Sequence, residues 1–185
     1  LRKCAFDGIQ PTFDAVAVVI VRGHASGCFG LLYKPSGCPW FIPSEGYPRD
    51  MQILVFGGTG FIGTHLCREL HDRGHEVTAI SRSGGRNGLP EGVEAATGDV
   101  TDYGSIEGAL EGKDAVVNLV ALSPLLRPRG GDESHYRVHR DGTENIVNAA
   151  EEHGVTRLIQ LSALGADPNG ETAYIRSKGQ AESIV

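Results

Sequence analysis

The sequence predicts an α/β fold in which residues 51–185 form a doubly wound parallel sheet with helices on both faces. Short apolar runs alternate with amphipathic segments along this stretch, which indicates strands alternating with helices. A glycine-rich turn separates the first apolar run from the first helical segment. Hydrophobic residues make up 40% of the 185 residues and charged residues 22%, which is typical of a globular domain.

The first half of the expected domain contains three strands and one helix. Residues 51–56 are an apolar run followed by glycine, so they are predicted to be a buried strand. Residues 61–73 repeat apolar side chains at helical spacing, and Gly74 provides the stop. Residues 76–80 and, more weakly, 93–97 have the composition of the second and third strands.

The second half continues the alternation. Residues 105–110 are predicted to be a short helix, and the strongly apolar residues 115–120 the fourth strand. A long helix is expected at 132–153, a fifth strand at 156–161 and a last helix at 172–185. Because that helix reaches the last residue without a stop signal, we expect the sheet to be C-terminally truncated and the chain to be a fragment of a larger protein.

Residues 1–50 differ in composition from the remainder. They hold five of the 9 prolines and three of the 4 cysteines, and Met51 is the single methionine of the chain. We therefore expect an N-terminal extension outside the fold, with the domain starting at Met51. The spacing of Cys4, Cys28 and Cys38 fits no paired-cysteine zinc site, even with His24 as a further ligand. The few cysteines are typical of a reducing compartment, which favours the cytoplasm.

The net charge argues against two classes of partner. The chain has 17 basic and 23 acidic residues, a formal charge of −6, so we expect no nucleic-acid or anionic-membrane binding. The apolar run at 15–21 is too short to span a bilayer, so no integral membrane segment is expected. The sequence also lacks the glycine–lysine pattern of a P-loop and the G-x-S-x-G pattern of an α/β-hydrolase.

The glycine-rich turn at residues 57–63 (GGTGFIG) predicts a dinucleotide site. Gly57 permits a tight turn, Gly60 a close approach of a diphosphate, and Gly63 close packing of the helix on the sheet. The first helical amides, with the positive end of the helix dipole, then face the phosphates. Six residues of the turn are therefore candidate cofactor contacts or supports: Gly57, Thr59, Gly60, Phe61, Ile62 and Gly63. At the end of the second strand, Ser81 could add a hydroxyl to the same site.

The end of the second strand favours NADP over NAD. NAD sites usually place an acidic residue there to bond the ribose hydroxyls, whereas this chain has Ser81 and Arg82. Arg82 is suited to a 2′-phosphate, although it could equally be a solvated loop residue. After the third strand, Asp99 could bond the adenine amino group or simply cap the next turn.

Tyr174 and Lys178 are the candidate catalytic pair. Their i, i+4 spacing places both on one face of the last predicted helix, where an ammonium would lower the pKa of the tyrosine. Such a tyrosine can exchange a proton with a substrate oxygen during hydride transfer, and Ser162, at the end of the fifth strand, could hold that oxygen. A bare Y-x-x-x-K pattern can also be a surface pair. His135 and His139 share i, i+4 spacing as well, but the H-E-x-x-H pattern is absent, which favours packing over metal binding.

Taken together, the GGTGFIG turn, the GDVTD stretch, the DGTENIV helix and YIRSK resemble the short-chain dehydrogenase/reductase superfamily. More narrowly, residues 51–185 resemble its extended and atypical branches: the NAD-dependent epimerase/dehydratase group, NmrA-like proteins and relatives of the 39 kDa accessory subunit of complex I. The resemblance implies a Rossmann fold, a bound NADP or NAD, and an unidentified small-molecule substrate.

The resemblance also assigns roles to individual positions. It implies cofactor contacts at Asp99, Val100, Val120 and Ala121, and it places Ser162, Tyr174 and Lys178 in the catalytic group, with the last two also touching the cofactor. His139 stands where extended members often have asparagine, which weakens the expectation of a complete proton relay.

Two functions follow from the sequence. The first is an oxidoreductase or epimerase/dehydratase that acts on a carbonyl or hydroxyl group. The alternative is a non-catalytic protein that keeps the dinucleotide for regulation or assembly, as a homodimer or as an accessory subunit of a larger complex.

Overall fold

The structure is a computed structural model that describes residues 19–23, 50–125 and 128–185, with the backbone alone for the first of these ranges. Its sheet has six strands in the spatial order β1-β6-β5-β2-β3-β4. The strands are β1 (Val19–Gly23), β2 (Gln52–Phe56), β3 (Glu76–Ser81), β4 (Glu94–Thr97), β5 (Ala115–Asn118) and β6 (Arg157–Leu161).

Strands β2 to β6 are all parallel, as the sequence predicts. Val55 of β2 is opposite Ala79 of β3 on one side and Val117 of β5 on the other. The chain moves outward from β2 to β4 and then returns to add β5 and β6 on the opposite side. This reversal leaves a crevice between the carboxyl ends of β2 and β5, where doubly wound folds bind their ligands. The Rossmann architecture is confirmed.

The helices follow the prediction with two local differences. They are α1 (Phe61–Asp72), α2 (Glu133–His135), α3 (Gly142–Glu152) and α4 (Ala173–Ile184). The expected long helix is interrupted by a π-helical stretch, Tyr136–Asp141, between α2 and α3. The short helix expected at 105–110 consists instead of two 3₁₀ turns, Tyr103–Ser105 and Glu107–Leu110, because the glycines there disfavour a regular α-helix.

Alternate residues of the central strands pack into two separate cores. Leu54 and Phe56 of β2 lie in a core with Ile146 of α3, whereas Val55 packs with Cys67 of α1 on the opposite face. This alternation is the period of two that an extended strand imposes. Both faces of β2 are therefore covered, which holds the start of the glycine-rich turn between two cores.

Strand β1 adds five residues of the N-terminal segment to the sheet. It runs antiparallel to β6, with Val21 opposite Ile159. The sequence did not predict this pairing, since residues 1–50 were expected to lie outside the fold. For Val19–Gly23 the backbone lies at the sheet edge, and the proposed domain boundary at Met51 is otherwise still a prediction.

No helix within the described part of the chain is both long and apolar enough to cross a membrane.

Candidate functional site

The glycine-rich turn connects β2 to α1 at the crevice. Gly57 has φ +78°, a conformation that glycine adopts readily, and its amide donates a hydrogen bond to the carbonyl of Ile80. A Cβ on Gly63 would lie 2.2 Å from the carbonyl oxygen of Gly57, so only glycine fits. A Cβ on Gly60 would lie 3.2 Å from the carbonyl oxygen of Gly57. At its glycine positions the turn thus folds closely back on itself, as a diphosphate site requires.

Gly58 is a further constrained position that the sequence reasoning missed. A Cβ there would lie 2.6 Å from the Cβ of Ala79, so Gly58 lets the turn pass directly over β3. The glycine doublet at 57–58 was the available signal. The turn then enters α1 at Gly60, a cap without any side-chain hydrogen bond, and Phe61 is 86% exposed. The first amides of α1 therefore open towards the crevice, in the position where helix N-termini bind phosphate.

A cleft of about 420 Å³ lies beside the turn at the end of β3. Thr59, Ser81, Arg82 and Ser83 line it. The hydroxyl oxygen of Ser81 is buried and has no hydrogen-bond partner among the described residues. Since buried polar atoms are normally paired, a ligand oxygen is a fitting partner for this hydroxyl. The glycine cradle and this unpaired hydroxyl fit a nicotinamide dinucleotide, with Arg82 available to a ribose phosphate.

Asp99 has the capping role that the sequence left open as one of two alternatives. One of its carboxylate oxygens accepts hydrogen bonds from the amide and the hydroxyl of Thr101, both at 2.9 Å. Val100 is buried in the core, where its Cγ2 is the atom that a Cβ on Gly142 would meet at 2.8 Å. The side chains of both residues are therefore engaged locally, and their contacts with adenine remain predictions.

The end of β5 lies against the glycine-rich turn. A Cβ on Gly57 would lie 3.3 Å from the backbone carbon of Leu119 and 3.4 Å from the amide nitrogen of Val120. That amide is held by Asn118, whose side-chain oxygen accepts from it at 3.0 Å. Ala121 is exposed directly after this contact. The structure therefore brings Val120 and Ala121 next to the predicted cofactor turn.

Lys178 projects from α4 to the carboxyl ends of two strands. Its ammonium donates to the carbonyl of Leu161 at 3.1 Å and to that of Val120 at 3.5 Å. The residue is 1% exposed, and this burial lowers its pKa to about 8. A lysine with such a pKa is a recognised mark of a functional site, and it joins the ends of β5 and β6.

Tyr174 lies in the first turn of α4. Thr172 caps this helix by accepting a hydrogen bond from the amide of Ile175 at 3.2 Å. The tyrosine ring packs edge-on against two histidines, His135 and His139, with centroids 5.8 and 5.5 Å away. The expected lowering of its pKa is wrong for this structure, because burial raises the pKa of Tyr174 while the ammonium of Lys178 is turned towards backbone carbonyls.

Ser162 follows β6, one residue after the Leu161 carbonyl that Lys178 binds. Its hydroxyl oxygen is buried and unpaired within the described part of the chain. The side chain is therefore free to bind an incoming oxygen. Together, Ser162, Tyr174 and Lys178 lie on the segments that meet at the carboxyl end of β6.

His139 connects three parts of the site. Its Nε2 accepts a hydrogen bond from the amide of Leu122 at 2.9 Å, so the ring proton is on Nδ1 and is donated to the hydroxyl of Ser177, also at 2.9 Å. Ser177 donates in turn to the carbonyl of Tyr174. Burial, with the nearby Lys178, lowers the pKa of His139 to about 3. The ring therefore stays neutral, with both nitrogens occupied. The weakened proton relay expected at this position is still a prediction.

A buried polar network below the site was not predicted. The amide of Asn118 donates to the side-chain oxygen of Gln160 at 2.9 Å, and the hydroxyl of Thr143 donates to the carbonyl of His139 at 2.6 Å. These three side chains are almost fully buried. The polar residues Asn118 and Gln160 within the apolar runs AVVN and RLIQL were the sequence signal for this network. The network ties β5 and β6 to the π-helical stretch that carries His139.

No group of three or more metal-ligating side chains occurs in the described ranges, which include His135 and His139. The expectation about Cys4, Cys28, Cys38 and His24 concerns residues outside those ranges. Arg127, which with Arg129 forms a small basic stretch of the sequence, is also outside them.

Comparisons with known proteins agree with this geometry. The model of a family described as NAD(P)H-binding matches residues 57–185. A 2-alkyl-3-oxoalkanoate reductase of Stenotrophomonas maltophilia is 35% identical over 73% of this chain and 46% of its own length. A 3 beta-hydroxysteroid dehydrogenase/Delta 5-->4-isomerase of Mycobacterium tuberculosis is 34% identical over 60% of this chain and 31% of its own length.

Solved structures show the same fold. The Bordetella bronchiseptica enzyme WbmG, crystallised in complex with NAD, aligns with a TM-score of 0.62 at 28% identity. The alignment covers 78% of this chain and 51% of that enzyme. The chain thus spans about a third to a half of the length of the relatives named here.

Proposed function

The chain belongs to the NAD(P)H-binding family, among relatives of the extended short-chain dehydrogenase/reductase and epimerase/dehydratase type, and from this premise we propose a catalytic function. We propose that the whole protein is an NADP-dependent enzyme that oxidises or reduces a carbonyl or hydroxyl group of a small molecule. One observation carries the proposal: the glycine-rich turn and the segments with Ser162, Tyr174 and Lys178 lie at the same carboxyl edge of the parallel sheet, the turn at the end of β2 and the others at the end of β6, with β5 between the two strands.

The cofactor would be held by the turn and by the cleft at the end of β3. The nicotinamide dinucleotide supplies or accepts the hydride. The amides at the start of α1 would bind its diphosphate, while Ser81 and Arg82 would bind a 2′-phosphate. A preference for NADP over NAD therefore rests on Arg82, which is exposed in the cleft.

This preference is tested with Arg82→Ala, and Arg86→Ala is the matched control because Arg86 is exposed on the same loop but does not line the cleft. Loss of one charge-assisted contact should weaken NADPH binding by about tenfold or more and leave NADH binding unchanged. Isothermal titration of both cofactors measures this. Equal affinities that Arg82→Ala does not change would refute the preference.

The proton step would belong to Tyr174. Its hydroxyl would donate a proton to the substrate oxygen during reduction, or take one during oxidation, with the unpaired hydroxyl of Ser162 holding that oxygen. Lys178 would donate a hydrogen bond to the nicotinamide ribose when its ammonium turns from the carbonyls of Leu161 and Val120 towards this ligand. Ligand binding would thereby bring the ammonium and the phenol into one network.

The enzymatic proposal is tested by following NADPH oxidation with a panel of carbonyl compounds. Tyr174→Phe should lower kcat by about 100-fold or more, because a positioned acid contributes that much. Tyr103→Phe is the control, since that phenol donates a hydrogen bond to Glu152, the last residue of α3, at 2.5 Å. Cofactor binding without turnover of any compound would refute the enzyme and support the dinucleotide-binding alternative.

The free and buried thiol of Cys67 fits a reducing compartment, and we propose that the protein acts in the cytoplasm.

A further inference from the structure

A cavity of about 470 Å³ adjoins Tyr174, and no residue of the glycine-rich turn lines it. It lies between the loop after β5, the start of α2 and the first turn of α4. Pro124 and Pro128 form an apolar wall, whereas Asp132, His135 and Tyr174 contribute polar groups. Because Tyr174 is the proposed proton donor, this cavity is where the remainder of a substrate would lie.

His135 is an unpaired polar side chain in the wall of this cavity. It is 6% exposed, and its Nδ1 has no hydrogen-bond partner among the residues the structure describes. Its ring stacks edge-on against the Tyr174 ring at 5.8 Å and lies 5.5 Å from the His139 ring. An unpaired buried nitrogen costs about 1–3 kcal/mol, whereas a phenylalanine would provide the same packing without that cost.

His139, the neighbouring histidine, is an example of a buried histidine with a purely structural role. Both ring nitrogens of His139 are hydrogen-bonded within the protein, one to the amide of Leu122 and one to the hydroxyl of Ser177. His135 is one turn earlier and has no such partner for Nδ1. Metal ligation does not explain it either, since no third ligand is present in the described ranges.

We propose that His135 binds the substrate directly: its Nδ1 forms a hydrogen bond with a second oxygen, a few atoms from the carbonyl that Tyr174 protonates. The two rings are close enough for one small molecule to reach both. The carboxylate of Asp132 lines the same cavity and would repel an anion, so the second oxygen belongs to a hydroxyl or keto group. The substrate class is therefore an uncharged carbonyl compound with a nearby oxygen, such as a β-hydroxy ketone. This inference rests on the proposed function.

The test compares 4-hydroxybutan-2-one with pentan-2-one, in which a methyl group replaces the hydroxyl. Dissociation constants are measured by NMR titration of the full chain loaded with NADP⁺, which cannot reduce either ketone. The wild type should bind the hydroxy ketone about 3- to 10-fold more tightly, the value of one neutral hydrogen bond. His135→Phe keeps the ring packing and should abolish this preference. His135→Asn places a side-chain nitrogen or oxygen near the position of Nδ1 and should retain most of it.

A second readout does not depend on the variants. The ring nitrogen resonances of His135 in the wild type should shift with 4-hydroxybutan-2-one and not with pentan-2-one. An unchanged resonance, no preference in the wild type, or a preference that survives His135→Phe would each overturn the inference while NADP⁺ still binds. Failure of the wild type to bind NADP⁺ at all would instead refute the proposed function, and this inference with it.

Discussion

The buried ammonium of Lys178 should make the stability of the protein depend on pH in an unusual direction. Burial lowers its pKa from 10.5 to about 8, whereas the unfolded chain keeps the ordinary value. Between these two values the unfolded state binds more protons than the folded state. The contribution of Lys178 to the free energy of unfolding must therefore rise as the pH rises through this window.

The size of the effect follows from the two pKa values. A difference of about 2.5 units corresponds to about 3 kcal/mol, because each unit is worth 1.36 kcal/mol. With a folded pKa of 8, about 1 kcal/mol of this is gained between pH 7 and 9, and about 2 kcal/mol by pH 9.5. Lys178 is 1% exposed, so solvent screening does not reduce the figure much.

The assay compares wild type with Lys178→Met, which keeps the length of the side chain but cannot titrate. Urea unfolding at several pH values gives the free energy of unfolding of each protein. The difference, Met variant minus wild type, should fall by about 2 kcal/mol from pH 7 to 9.5. Cys67, whose pKa burial raises to about 11, acts in the opposite direction but is present in both proteins and cancels.

A stability difference that is the same at every pH would refute this reasoning. It would mean that the folded protein leaves the lysine with its ordinary pKa, for example because Nζ turns out to solvent. A difference that increases with pH would contradict the sign as well.

Three further substitutions test other parts of the structure. Gly63→Ala should destabilise the protein by about 1–3 kcal/mol and abolish NADPH binding, because its Cβ would lie 2.2 Å from the Gly57 carbonyl oxygen. Urea unfolding measures the loss of stability, and calorimetric titration measures the loss of NADPH binding. Thr172→Ala removes the cap of α4 and should cost about 1 kcal/mol in urea unfolding. Asn118→Leu breaks the buried polar network and should cost about 1–3 kcal/mol, with a lower thermal midpoint.

Each of the three substitutions has a control variant or a result that would contradict the expectation. Gly108→Ala should change neither stability nor binding measurably, since a Cβ there meets nothing within 4 Å. Full NADPH affinity in Gly63→Ala would mean that the turn does not hold the diphosphate. Unaltered stability in Thr172→Ala or Asn118→Leu would show that the corresponding hydrogen bonds contribute nothing.

The sheet and its dinucleotide crevice could be predicted because their signals are local. Apolar runs mark the strands, and GGTGFIG marks the turn with no need for distant contacts. The direction of the Tyr174 pKa shift could not be predicted, because it depends on burial and on where the Lys178 ammonium is directed. Spacing along α4 places the two residues on one face but says nothing about the carbonyls at the ends of β5 and β6.

Other features needed information from distant parts of the chain. The strand Val19–Gly23 is recognised by its pairing with β6, more than 130 residues later, and its own composition did not distinguish it from the segment around it. The unpaired Nδ1 of His135 could not be predicted either. The sequence does not distinguish a histidine that only packs in a core from one that binds a ligand.

The wider π turn at Tyr136–Asp141 divides the long helix into two sections of different phase. In an α-helix each residue advances by about 100° around the helix axis. Deleting one residue from the π-helical stretch would therefore rotate His135 away from Tyr174, while α3 would still pack on the sheet. The extra residue therefore lets the helix meet two surfaces at once, the hydrophobic core through Ile146 and the cavity through His135.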